Sequence, residues 1–118
     1  MGVFHCTITV SPVTGADSRR TEAIVDSGAS YSVIPARLLN ELGIQPKRTD
    51  VFMLADGTRH EEVIGEARVA VNGRDAVTPV VFGSDEALPL LGAVTMQILN
   101  LVVDTKGERL VPGVAYLL

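Results

Sequence analysis

Apolar and polar positions alternate over residues 3–10, where Phe4, Cys6, Ile8 and Val10 interleave with His5, Thr7 and Thr9. A period of two predicts a strand with one face buried. Residues 11–20 carry Pro12, Gly15, Asp17 and Ser18 and predict a hairpin connection. It leads to a second strand over 21–26, whose Ala23-Ile24-Val25 is apolar enough to be covered on both faces. After a glycine-containing turn, Leu38, Leu39 and Leu42 stand at helical spacing between Pro35 and Gly43, which predicts a short helix over 35–42. Residues 49–54 and 58–71 predict two strands joined at Ala55-Asp56-Gly57, a hairpin signal because both Asp and Gly can take positive φ. Asn72-Gly73 makes a second such turn into a strand over 76–82. A loop at 83–86, a short strand at 88–91, a helix at 93–99 and a hairpin of 101–104 with 109–111 around Thr105-Lys106-Gly107 complete the chain. Short strands with turns about every ten residues, and two short helices, predict a mainly β fold, a barrel or a sandwich.

Composition narrows the function classes. A chain of 118 residues predicts a single domain spanning 1–118. With 47% hydrophobic and 20% charged residues it has the material for a packed core. Fourteen Asp+Glu against ten Lys+Arg give a net charge of -4, and no basic cluster exceeds Arg19-Arg20, so no nucleic-acid partner is expected. One cysteine, Cys6, excludes an internal disulfide and a cysteine-based zinc site, and is expected as a small buried hydrophobe. The residues from Met1 to His5 lack the pattern of a signal peptide, and Cys6 stands where a myristoylation signal at Gly2 would want Ser or Thr. Apolar runs such as 76–82 are too short for a membrane span. The expectation is a cytoplasmic protein with no membrane partner.

The chemistry concentrates at Ala23-Ile24-Val25-Asp26-Ser27-Gly28-Ala29-Ser30. A carboxylate directly after an apolar run is costly to bury unless it is hydrogen-bonded or shares a proton. Ser27 offers a hydroxyl and Gly28 leaves backbone amides accessible. One reading is a turn in which Asp26 and Ser27 cap the backbone. Some sixty residues later Leu88-Pro89-Leu90-Leu91-Gly92 repeats the theme of an apolar strand ending in glycine before a helix.

Taken together, these segments resemble the retropepsin-like aspartic proteases, in their bacterial-type branch. The stretch from Ile24 to Pro35 is similar to the family's active-site loop, Leu90-Leu91-Gly92 to its second signature, and Leu54-Ala55-Asp56-Gly57-Thr58 to the turn of its flap hairpin. The match runs from about Thr21 to Pro112. The resemblance implies the closed β-barrel of the acid protease fold with one or two short helices. It implies Asp26 as the catalytic residue, with Ser27 and Gly28 supporting the active-site loop. Gly28, Ala29, Ser30, Ala55, Asp56, Gly57 and Thr58 would meet an extended polypeptide substrate. Ser30 stands where many retroviral relatives have Asp, and Ala93-Val94 where a polar residue often follows the glycine. Phe4 and Leu117-Leu118 are candidates for a terminal sheet between two copies.

Peptide hydrolysis without a metal, a cofactor or a covalent intermediate needs one group to deprotonate water and another to protonate the carbonyl oxygen. Two carboxyls sharing one proton supply both, as is general for aspartic proteases. Asp-(Ser/Thr)-Gly occurs once here: Asp104-Thr105-Lys106 lacks the glycine and Asp56-Gly57-Thr58 has its order reversed. The dyad therefore requires a second Asp26 from a homodimer. A dimeric domain that keeps the fold for peptide binding or assembly, and a monomeric β domain of unrelated role, stand as alternatives. Other constellations fall away. Gly28-Ala29-Ser30-Tyr31-Ser32 fails the last position of a nucleophile elbow, and His5 and His60 are too isolated for a metal site. Glu61-Glu62 and Glu66 read as the solvated side of a strand, and Asp85-Glu86 as loop surface.

Overall fold

The computed structural model describes residues 3–117. The expectations about Gly2 and Leu118 concern residues outside that range. In chain order the elements are β1 (Phe4–Ser11), β2 (Arg19–Val25), β3 (Ser32–Pro35), α1 (Ala36–Glu41), β4 (Arg48–Met53) and β5 (Arg59–Val71). They continue with β6 (Arg74–Gly83), β7 (Leu90–Leu91), α2 (Ala93–Ile98), β8 (Leu101–Asp104) and β9 (Arg109–Pro112). The chain is mainly β, as the alternating pattern predicts. Seven strands pair in the order β1-β2-β7-β3-β6-β5-β4, and a further β1–β5 pairing closes six of them into a ring. β8 and β9 form a separate hairpin.

The long strand β5 makes this closure possible. One of its edges pairs with β6 from Ile64↔Val81 to Val71↔Arg74. The other edge is divided: Arg59 to Ile64 pair with β4, and Arg68 to Ala70 pair with β1. The β4–β5 hairpin thus projects from the ring while remaining continuous with it. The ring encloses an apolar core: Ile8, Val10, Ala23, Ile34, Val69 and Leu91 are each at most 1% exposed. Each such Val, Ile or Leu contributes about 1.5–3 kcal/mol relative to exposure.

Four local expectations need correction. Residues 32–35 are a strand, and Pro35 caps α1 instead of opening it. Their partner is β6, in parallel register from Ser32↔Val80 to Pro35↔Gly83, a pairing that leaves no local trace in the sequence. The turn at Ala55-Asp56-Gly57 has positive φ at Gly57 (86°) but not at Asp56. The Leu54 carbonyl accepts from Gly57 N–H and Leu54 N–H donates to Thr58, a three-residue loop with a bulge at glycine. At Asn72-Gly73 both residues do take positive φ (52° and 80°). β7 is only two residues long, with Leu88 left exposed. Cys6 is half-buried rather than enclosed, and burial pushes its thiol up from the ordinary value. Asp85 is exposed loop surface, as expected, and its carboxylate accepts the Arg37 N–H of the first turn of α1 at 2.7 Å.

Candidate active site

The segment 26–31 leaves the end of β2, passes over β7 and enters β3, because β7 lies between the two strands it joins. β7 is parallel to β2 (Ile24↔Leu90, Val25↔Leu91) and antiparallel to β3 (Val33↔Leu90). Backbone bonds fix the loop at both ends. Asp26 N–H donates to the Leu91 carbonyl at 3.0 Å, and Ala93 and Val94 N–H donate to the Ala29 and Ser30 carbonyls at 2.8 and 2.9 Å. The first amides of α2 have no partner within their own helix, and the loop supplies one. Main-chain carbonyls thus anchor the start of α2, where Ala93 and Val94 offer no polar side chain.

Beneath the loop lies a buried chain of hydroxyls. Gly92 N–H donates to Ser32 Oγ at 3.0 Å, Ser32 Oγ lies 2.6 Å from Thr95 Oγ1, and Thr95 Oγ1 lies 2.9 Å from Thr78 Oγ1. Thr78 Oγ1 in turn reaches the Pro79 carbonyl at 3.4 Å. If each hydroxyl donates once, the bonds run in one direction from Gly92 N–H to the Pro79 carbonyl. All three side chains are 1% exposed, and the chain ties β3, α2 and β6 together. Gly92 has no alternative here: a Cβ would lie 2.5 Å from the Tyr31 carbonyl carbon.

Asp26 is half-buried at the start of the loop. Its Oδ1 accepts Gly28 N–H at 2.9 Å and its carbonyl accepts Ala29 N–H at 3.2 Å. The backbone-capping turn is thus present, and it orients the carboxylate. On one side Asp26 and Ser27 border a small cavity walled by Val3, Phe4, Val25 and Val103. On the other side Gly28, Ala29 and Ser30 form the floor of a larger cavity of about 380 Å³. Sequence reasoning missed most of that cavity's walls. Val33 and Val81 come from the ring, Phe52, Met53 and Leu54 from the β4–β5 hairpin, and Glu62 from the hairpin's return strand.

The predicted flap residues Ala55, Asp56, Gly57 and Thr58 are all exposed at the tip of that hairpin. The preceding three residues, not the tip, reach the cavity above Gly28 to Ser30. Asp56 orders the tip: its Oδ1 accepts both Thr58 N–H (2.9 Å) and Thr58 Oγ1–H (2.6 Å), which holds its carboxyl below the usual carboxylate range. At the base, Tyr31 of the loop packs edge-on against Phe52 with centroids 5.4 Å apart, and Arg48 bonds Asp50 at 3.0 and 3.2 Å. Arg48 Nη2 lies 3.5 Å from the Tyr31 hydroxyl, linking hairpin to loop.

Glu62 and Glu66 correct a further expectation. Both are half-buried, Glu66 bonding Lys47 at 2.8 Å and Glu62 lining the cavity. Among the described residues no cluster of His, Cys, Asp and Glu could hold a metal ion. Among them also, no helix is long and apolar enough to cross a membrane.

This arrangement, a lone Asp-Ser-Gly loop locked to a strand–glycine–helix element beneath a projecting hairpin, is that of the retropepsin-like fold. A family model described as aspartyl protease matches residues 11–99, and the chain belongs to that family. No curated protein matches the chain. Solved structures share the fold at low identity. The solution structure of simian foamy virus (mac) protease superposes with a TM-score of 0.58 at 20% identity, covering 81% of this chain and 94% of its own. EIAV protease in complex with the inhibitor HBY-793 gives 0.57 at 18% identity, covering 93% of each chain. A retropepsin-like aspartic protease from Rickettsia conorii gives 0.52 at 15% identity, over 88% and 89% of the two chains.

Proposed function

We propose that this protein is a homodimeric aspartic endopeptidase that hydrolyses extended polypeptides at a dyad of two Asp26 residues. The carrying observation is the single Asp26-Ser27-Gly28 loop, held by main-chain bonds on both flanks and open to a cavity under the β4–β5 hairpin. One protomer supplies one carboxylate, and the chemistry requires two. In the dimer, the two carboxyls share a proton. The ionised one takes a proton from water, and the protonated one gives its own to the carbonyl oxygen of the scissile bond. Ser27, exposed and with no side-chain hydrogen bond among the described residues, bonds across the two-fold axis. Gly28, Ala29 and Ser30 receive the substrate main chain as an added strand, and the hairpin closes over it. Apolar walls from Val33, Phe52 and Val81 pack against the hydrocarbon part of a substrate side chain near the scissile bond. No metal or cofactor enters the reaction.

The test is Asp26→Asn. The substitution keeps the acceptor for Gly28 N–H while removing the proton exchange. Cleavage of a mixed peptide library should disappear, with sedimentation still reporting the wild-type assembly. Cleavage that persists in the variant, or a wild-type protein that remains a monomer at micromolar concentration with and without peptide, overturns the reading.

A further inference from the structure

The inward face of the β4–β5 hairpin carries two carboxylates directly opposite each other, Asp50 and Glu62. They share this face with Phe52 and with the fully buried Ile64. Asp50 is occupied by Arg48 through two bonds at 3.0 and 3.2 Å. Glu62 is half-buried and has no salt bridge or side-chain hydrogen bond among the described residues. Among the described residues it is the only carboxylate lining the cavity of about 380 Å³, whose other side chains include Val33, Phe52, Met53, Leu54 and Val81, with Tyr31 and Ser84 at its polar edge. A cleft with apolar walls on the hairpin and ring sides and one unpaired carboxylate complements a side chain with an apolar stem and a cationic head. The cavity's floor is Gly28 to Ser30, so an occupant would belong to a peptide lying beside Asp26.

Resting on the protease reading, we propose that Glu62 is a specificity residue that selects a lysine or arginine side chain of the substrate in this cavity. An uncharged straight-chain residue of the same length fills the stem region but leaves the carboxylate unpaired. The expected discrimination is about tenfold in kcat/KM, the range of a charge-assisted hydrogen bond in a partly solvated site. Glu61, on the outward face opposite Val51, makes no contribution and serves as the control.

The experiment uses the full chain and a peptide series in which each position around the scissile bond carries lysine, norleucine or glutamate in turn. Wild type and Glu61→Gln should favour lysine over norleucine at one position about tenfold, and Glu62→Gln should bring that ratio close to one. Glu62→Lys should move the preference to glutamate. A second arm titrates the same peptides into the Asp26→Asn protein by calorimetry, so selection is read without cleavage. If wild type cleaves nothing but the Asp26→Asn protein binds the lysine peptide about tenfold more tightly, the protease reading fails and the assignment of Glu62 stands. If neither arm shows a preference for the basic side chain, or if the preference survives in Glu62→Gln, the assignment is overturned.

Discussion

Replacing Thr95 with valine removes the middle of the buried hydroxyl chain while preserving shape. Thr95 Oγ1 lies 2.6 Å from Ser32 Oγ and 2.9 Å from Thr78 Oγ1, with all three residues 1% exposed. Two hydrogen bonds disappear, each with a net contribution of about 1 kcal/mol. Ser32 keeps the donation from Gly92 N–H but loses the acceptor for its own hydroxyl, and a buried unsatisfied donor costs about 1–3 kcal/mol. The total destabilisation is about 3 kcal/mol, or about 10 °C in Tm for a domain of this size. Thr95→Ser supplies the control: it keeps the oxygen and deletes one methyl, at a cost of about 1 kcal/mol. Urea denaturation at matched protein concentration measures both variants. If the valine variant proves as stable as the serine variant, the hydroxyl chain does not hold α2 against the active-site loop, and the argument fails.

Two further outcomes follow from the geometry. Gly92→Ala places a Cβ 2.5–2.9 Å from three backbone atoms of Tyr31 and Ser32, none of which can rotate away. The expected destabilisation is about 3 kcal/mol or more by denaturation, and a loss under about 1 kcal/mol contradicts the packing argument. For Asp56, the folded carboxyl lies below its ordinary value because Thr58 donates to it twice. The ordering it gives the hairpin tip is therefore fully present above the usual carboxylate range, and is lost as pH falls through the lowered value. An NMR titration of the Thr58 amide should show a midpoint below that of the same turn in a short peptide; a midpoint at or above the peptide's refutes the assignment.

The readable part of this molecule is what repeats locally. The alternation of Phe4, Cys6, Ile8 and Val10 marked β1, and Asn72-Gly73 marked a turn whose two positive φ angles fit only such residues. The loop from Asp26 to Ser30 stood out because a carboxylate follows Ala23-Ile24-Val25, and that segment does sit at the end of a strand beside a cavity. What the sequence hid depends on partners far along the chain. β3 exists because β6, nearly fifty residues later, lies alongside it, for example Ser32↔Val80. Ser32 and Thr95 are 63 positions apart, and nothing around either announces that they meet. Glu62 reads as solvated in the polar run Arg59-His60-Glu61-Glu62, yet the period of two turns it onto the face it shares with Ile64. Phe52 and Met53 carry no signal of their own: the turn signature lies at the exposed tip, Asp56-Gly57, while the strand before it lines the cavity.

The central claim is that one active site needs two copies of Asp26. Its most direct measurement is the peptidase activity of wild-type protein unfolded and refolded together with an equal amount of Asp26→Asn, at constant total chain concentration. Random pairing leaves about one quarter of the assemblies with two intact carboxylates, so activity should fall to about a quarter of that of refolded wild type. A fall to only about one half, proportional to the wild-type chains present, would mean that each chain carries a complete site of its own, and would contradict the account.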